Sequence, residues 1–256
     1  MRPATLIIPI ALAGVGIPLA GCSPGPTHDP NLFTNTRAAT ETITLAQARA
    51  FLASQSPGDA SRRFDVVGGE PLGRTVILKT RAGDDADVLL RRTLLGSAHP
   101  ETVQRFSISG GALVSTRSTN YDRDVITEFH PPLLIFPNQL APGSPATQSL
   151  EFIVRPLGDP RRIKRRGDAS VTISLVDRQD VALPGGTADA LHVRTVLEID
   201  FGAAKVERTT DQWFLPGAGL VAESFDERIK VLGVPTERSR QTMRAAEIPP
   251  SSVDRN

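Results

Sequence analysis

Along residues 191–201 apolar and polar side chains alternate. Leu191, Val193, Thr195, Leu197, Ile199 and Phe201 point one way, and His192, Arg194, Glu198 and Asp200 the other, with Val196 out of phase. A period of two is that of a strand with one buried and one wetted face. Val171, Ile173 and Leu175 against Thr172 and Ser174 repeat the pattern. Strand-like runs also occupy 75–80, 87–95, 103–109, 112–119, 123–129, 149–154, 205–215 and 220–232, and Gly110-Gly111 marks a hairpin. About nine or ten such strands with short polar turns predict a mainly β domain. The expected architecture is a curved antiparallel sheet or half-barrel. The prolines of "HPPLLIFPNQLAPG", 130–143, are expected to stop any central strand.

One stretch has a helical period. In "TLAQARAFLASQ", 44–55, Leu45, Ala48, Phe51 and Leu52 form a stripe, and Thr44 with Gln47 fits a capping box. This single N-terminal helix is the candidate cover for the dry face of the sheet. A concave apolar face can also hold a guest. Its candidate lining residues are Val171, Ile173, Leu191, Val193, Leu197, Ile199, Phe201 and Trp213. For Trp213 the competing reading is ordinary core packing.

The N-terminus changes the picture. Arg2 precedes an apolar run, "LIIPIALAGVGIPLA" at 6–20, interrupted by Pro9 and Pro18. A transmembrane helix needs roughly 20 apolar residues, so residues 1–21 read as a signal peptide. Directly after it stands Cys22, the only cysteine. A lone thiol in an exported chain has no disulfide partner. "LAGC", 19–22, resembles the lipobox of bacterial lipoproteins. The resemblance implies cleavage before Cys22, diacylglycerol on its sulfur, and a cell-envelope protein anchored through palmitate-like chains and facing the periplasm. Ser23 in place of aspartate implies the outer membrane in a Gram-negative host. Residues 22–40, rich in Pro, Thr and Asn, read as a lipidated flexible tether. A single β-rich domain is expected over 41–246 and a disordered tail over 247–256.

Three further patterns carry a second resemblance: "PPLLIFPNQLAPG" (131–143), "VALPGGTADALHV" (181–193) and "DQWFLPGAGLVAE" (211–223). With them the C-terminal half resembles uncharacterised β-rich periplasmic lipoproteins, and distantly the lipoprotein-carrier half-barrels. The latter likeness implies a curved sheet around an apolar cavity.

Candidate chemistry is sparse. The four histidines form no metal-ligand pair, and no motif implies a cofactor. Ser97 lies near His99 without a nucleophile elbow, so a hydrolase reading has little behind it and no catalytic residue is assigned. His192 falls on the polar side of its strand and reads as solvated. The aspartates Asp84, Asp85 and Asp87, with Asp122 and Asp124, read as turn residues. A formal net charge of +1 excludes a strongly basic nucleic-acid binder. The sharpest charge feature is "RPLGDPRRIKRRGD", 155–168, in which Arg155, Arg161, Arg162, Lys164, Arg165 and Arg166 form a candidate patch for anionic headgroups or an acidic partner. The leading expectation is a non-enzymatic, membrane-anchored envelope lipoprotein that binds or carries an apolar, lipid-like ligand. The alternative is an envelope scaffold or protein-docking module with a filled core.

Overall fold

A computed structural model describes residues 32–49, 60–69, 71–82, 88–216 and 218–247. The signal peptide, Cys22, residues 50–55 of the expected helix, the aspartates at 84–87 and the tail beyond residue 247 lie outside the described residues.

The chain is a meander of antiparallel strands. In order these are β1 (Phe33–Arg37), β2 (Ile43–Thr44), α1 (Leu45–Arg49), β3 (Ala60–Gly69), β4 (Thr75–Ala82), β5 (Val88–Leu94), β6 (Thr102–Ser109), β7 (Ala112–Asn120), β8 (Val125–Phe136), β9 (Gln139–Leu140), β10 (Ala146–Pro156), β11 (Arg165–Leu183), β12 (Gly186–Asp200), β13 (Ala204–Leu215), β14 (Gly219–Val231) and β15 (Val234–Ala245). From β3 to β15, with the short β9 set aside, each strand pairs with the next, and β15 pairs back onto β3. The result is a closed barrel of 12 strands. An even number lets the first and last strands of a meander meet antiparallel. The strand β1 adds to the exposed end of β11, and β2 pairs with β9 as a separate two-stranded ribbon.

Closure corrects the expectation of an open curved sheet or half-barrel. The seam depends on Gly69, which sits at φ 73° opposite Gln241. A Cβ there would stand 2.0 Å from the Arg240 carbonyl oxygen, so only glycine lets β3 and β15 approach. Of the expected covering helix, only α1 at 45–49 falls among the described residues. Its capping box is present: the Thr44 N–H donates to Gln47 Oε1 at 2.8 Å, and the Gln47 N–H donates to Thr44 Oγ1 at 3.3 Å. The Gly110-Gly111 hairpin also forms, with both glycines at positive φ.

The prolines do not end β8. Pairing with β10 stops at His130↔Glu151, and pairing with β7 slips between Ser115 and Arg117. The side chain of Gln148 supplies the missing bonds, donating to the Pro132 carbonyl at 2.9 Å and accepting from the Leu134 N–H at 2.7 Å. One amide group thus stands in for a peptide unit where proline removes the ladder donor. The stretch read as tether enters the described structure at Leu32, which is buried. From there Phe33 and Thr34 pair with Val181 and Asp180, so this part lies docked on the barrel.

Register and burial define the two faces of the wall. Ala169, Val171, Ile173 and Leu175 on β11 share a face with Leu197, Val193, Arg208, Thr210, Phe225 and Glu227, and all are buried. This is the inner face. Outer positions carry charges on strands around the whole ring, among them Lys79, Arg91, Arg105, Arg117, Glu128, Asp168, Glu198, Glu207, Asp226 and Arg238. A membrane-spanning barrel has an apolar outer band instead, so this wall faces water.

Candidate functional site

Three places concentrate chemistry: the barrel interior, a stacked histidine on the outer face, and charged grooves across the outer wall.

The ring is not round. Phe136 of β8 meets Phe214 of β13 at 5.9 Å between centroids, and Arg92 of β5 reaches Gln241 and Met243 of β15. Strands that are not neighbours in the ring therefore touch, and one hydrophobic cluster runs through the interior. Of the expected lining residues, Ile173 and Leu191 have no accessible surface, and Val171, Val193, Leu197 and Ile199 are buried. A residue with zero accessible area borders no void of even water size. The cavity that Val171 and Leu197 border measures about 40 Å³ and is closed by Leu133 and Ile135 from β8. Phe201 is half-buried at the end of β12, edge-on to Phe152 at 4.8 Å. Trp213 lies on the opposite face from the other seven, because Phe214 is the residue that opposes Leu191.

The interior also holds a charged network. Arg92 pairs with Glu101 at 3.3 Å and donates to Gln241, while Arg208 pairs with Glu227 at 3.5 Å and covers the Phe225 ring at 4.4 Å. Glu223 accepts from Gln212 at 2.8 Å. Burial pushes the carboxyls of Glu101, Glu223 and Glu227 above the usual carboxylate range, against the pull of Arg92 and Arg208. Burial also lowers both guanidiniums from their ordinary value. None of these seven polar groups was singled out from sequence. The available signal was polar residues at inner positions of an otherwise alternating strand, such as Arg208 between Val206 and Thr210.

On the outer face a β-bulge between Leu175 and Asp177 brings Asp177 opposite His192. His192 Nδ1 stands 3.1 Å from Asp177 and Nε2 stands 2.7 Å from Asp211. A carboxylate only accepts, so both ring nitrogens donate at once only as imidazolium. The ring lies parallel to Trp213 at 4.7 Å, and Phe33 of β1 stacks on the same indole at 3.8 Å. Trp213 donates its N–H to Gln179 at 2.9 Å. Burial raises the Asp211 carboxyl, but hydrogen bonds from His192 and Arg194 outweigh it and hold Asp211 below the usual range. His192 is on the polar side of its strand as expected, yet only 4% exposed rather than solvated. The cluster acts as a clasp that fastens β1 and three strands together.

The basic stretch 155–168 is divided by the fold. Arg155 binds Glu128 at 2.9 Å, Arg166 binds Glu151 at 2.6 Å, and Arg165 lies 6.0 Å over the Phe201 ring. Only Arg161, Arg162 and Lys164 stay together at the exposed loop tip, around Ile163. The Ser97 hydroxyl donates to the His99 carbonyl at 2.9 Å, not to an imidazole. Among the described residues no three His, Cys, Asp or Glu gather as a metal cage.

Two outer grooves stand out. The larger, about 710 Å³, crosses β8 and β10–β14 and is acidic, with Asp168, Glu198, Asp200 and Glu207 against Lys205 and Lys230. The other, about 520 Å³, lies over β5–β7 and is basic.

No protein-family model matches this chain, and no curated protein matches it. Among solved structures, an exported protein with a YmcC-like fold from Bacteroides fragilis aligns with a TM-score of 0.40 and 12% identity, over 76% of this chain and 97% of that one.

Proposed function

We propose that this chain is a non-enzymatic docking module of the bacterial cell envelope that works through its outer wall. It is held to a membrane by acylated Cys22, and it faces the periplasm, from the outer membrane in a Gram-negative host. The observation that carries the reading is the packed inner face. Ile173 and Leu191, at the centre of the expected ligand surface, have no accessible area, whereas a site for a drug-sized guest needs about 300 Å³ or more. The charged outer wall is what remains for recognition. The lipid anchor rests on the "LAGC" motif and the apolar run before it. Two or more acyl chains give a stable anchor where one is marginal. A tether also raises the effective concentration of the barrel near any partner in the same membrane.

In-cell crosslinking of the full chain tests the docking role. One dominant protein partner is the expected result, and the triple variant Arg161→Glu, Arg162→Glu, Lys164→Glu removes it if the loop tip is the contact. Crosslinks spread thinly over many proteins contradict docking. Failure of radiolabelled palmitate to mark the cell-expressed chain, with loss of that label in Cys22→Ser as the control, contradicts the anchor alone.

A further inference from the structure

The two ends of the barrel differ. One end carries the turns β3–β4, β5–β6, β7–β8, β10–β11, β12–β13 and β14–β15. Among the described residues eight large apolar side chains are exposed, and six of them stand at this end. Leu72 tops β3–β4, Leu95 tops β5–β6, Tyr121 tops β7–β8 and Ile163 tops β10–β11, while Leu232 and Val234 top β14–β15. Leu232 is 81% exposed. Of the other two, Ile108 lies at the opposite end and Val176 on the wall. A turn that only reverses the chain is served by Gly, Asn, Asp or Pro and has no need of an apolar tip. Single exposed apolar residues are ordinary, whereas their concentration on one face marks a contact surface.

Charge gathers at the same end. Arg161, Arg162 and Lys164 surround Ile163, and Arg74 follows Leu72 by two positions. All four are exposed and make no ion pair among the described residues. Acids are present too, with Asp159 in the β10–β11 loop and Asp122 and Asp124 beside Tyr121. The surroundings of Ile163 are nevertheless basic.

The N-terminal segment joins the barrel at the other end. There the Ala182 N–H, beside the β11–β12 turn, donates to the Leu32 carbonyl at 2.9 Å. Strand β11 runs from that turn back to Arg165, roughly 60 Å of strand. At a tilt of about 40° this is about 45 Å of height. The ten residues from Cys22 to Leu32 span at most about 36 Å. A barrel standing on its apolar tips is therefore out of reach of a bilayer that holds Cys22. Two copies anchored in one bilayer point these ends the same way and do not meet tip to tip.

We propose that this crown of turns is the docking surface for a different protein, one whose contact face is apolar and carries acidic side chains opposite Arg161, Arg162 and Lys164. The proposal rests on the docking role and the anchor given above, and names the end of the barrel that performs the docking. Leu72, Ile163 and Leu232 supply apolar anchors, and the cations form a polar rim that orients the partner through its carboxylates.

The test uses the full acylated chain in intact cells. Benzoylphenylalanine, a photocrosslinker, replaces Leu72, Leu232, Ile108 or Val176, one at a time. The expected result is one protein adduct shared by positions 72 and 232 and absent at 108 and 176. With the probe at 232, that adduct falls about tenfold or more in Ile163→Asp and in the triple variant Arg161→Glu, Arg162→Glu, Lys164→Glu. Arg228→Gln leaves it unchanged, and equal thermal melting of all variants shows that they fold. Mass spectrometry of the adduct places the crosslink on a partner segment with Asp or Glu beside apolar residues. An adduct at 108 or 176 but not at 72 or 232 overturns the crown and leaves the docking role standing. No protein adduct at any position overturns both. An adduct of twice the chain's mass, a lipid adduct at 72 and 232, or an adduct indifferent to the crown variants also overturns the proposal.

Discussion

The two halves of the barrel wall solve the same problem with different chemistry. From β10 to β12 the inner face is largely apolar, with Leu150, Phe152, Val171, Ile173, Val193 and Leu197, before Arg208 and Glu227 enter on β13 and β14. Outer charges there include the ion pairs Arg155–Glu128, Arg166–Glu151 and Lys205–Asp200. From β5 to β8 the inner face runs through Arg92, Thr102, Gln104, Ser118, Asn120 and Thr127, all buried, and on the outer face Arg105 stands opposite Arg117. In this half Gln104 Oε1, Ser118 Oγ, Asn120 Nδ2 and Thr127 Oγ1 are buried without a hydrogen-bond partner. The first half is stabilised by hydrophobic burial. The second is poorer in that term and relies on closure against the first.

The largest effect that can break this contrast is loss of Arg92. Arg92→Met leaves Glu101 buried without its cation and Glu223 with only the Arg208 charge nearby, and should cost about 3–5 kcal/mol in chemical denaturation near pH 7.5. The penalty should shrink toward pH 5 as those carboxyls take protons. A cost that does not vary with pH would show that the network is not charged. Gly69→Ala forces a Cβ onto the Arg240 carbonyl at a positive φ, and about 3 kcal/mol or more is expected. A neutral Gly69→Ala would mean that the β3–β15 seam is open.

Smaller effects sharpen the comparison. Ile173→Ala on the apolar inner face should cost about 2–5 kcal/mol. Ser118→Ala on the polar inner face deletes a hydroxyl with no partner, and should change stability by no more than about 1 kcal/mol, toward stabilisation. Equal costs for the two would erase the distinction between halves. The smallest signal is the pH dependence of the wild type. The folded-state pKa values of Glu101, Glu223 and Glu227 are raised, so their contribution is fully present below the unfolded carboxylate value and fades as pH rises through the folded values. Asp211 is shifted the other way; its contribution is present above the ordinary value and is lost as pH falls through the folded one. Urea melts should therefore show a decline on the alkaline side that Glu223→Gln reduces, and a separate decline in acid that Asp211→Asn reduces.

The same contrast explains what the sequence made legible. Strands β11 and β12 announce themselves because apolar inner residues alternate with polar outer ones. In β3, "ASRRFDVVGG", and β15, "VPTERSRQTMRA", polar residues occupy both faces, so neither strand shows the period. Those two strands form the closing seam, and without them the remaining strands read as an open sheet. The clasp around His192 was hidden for another reason. Its cover is Phe33, at a distance of more than 150 positions in the chain, and no local pattern places a tether residue on Trp213. The basic run at 155–168 was visible as composition, but whether each cation met a carboxylate depended on cross-strand register.

The central claim is that the inner face is filled and that recognition belongs to the outer wall. Native mass spectrometry of the gently purified full chain tests it most directly. The account predicts a mass equal to the mature chain with its acyl anchor and nothing more. A stoichiometric extra lipid, released only on unfolding and lost in Ile173→Trp, would contradict it.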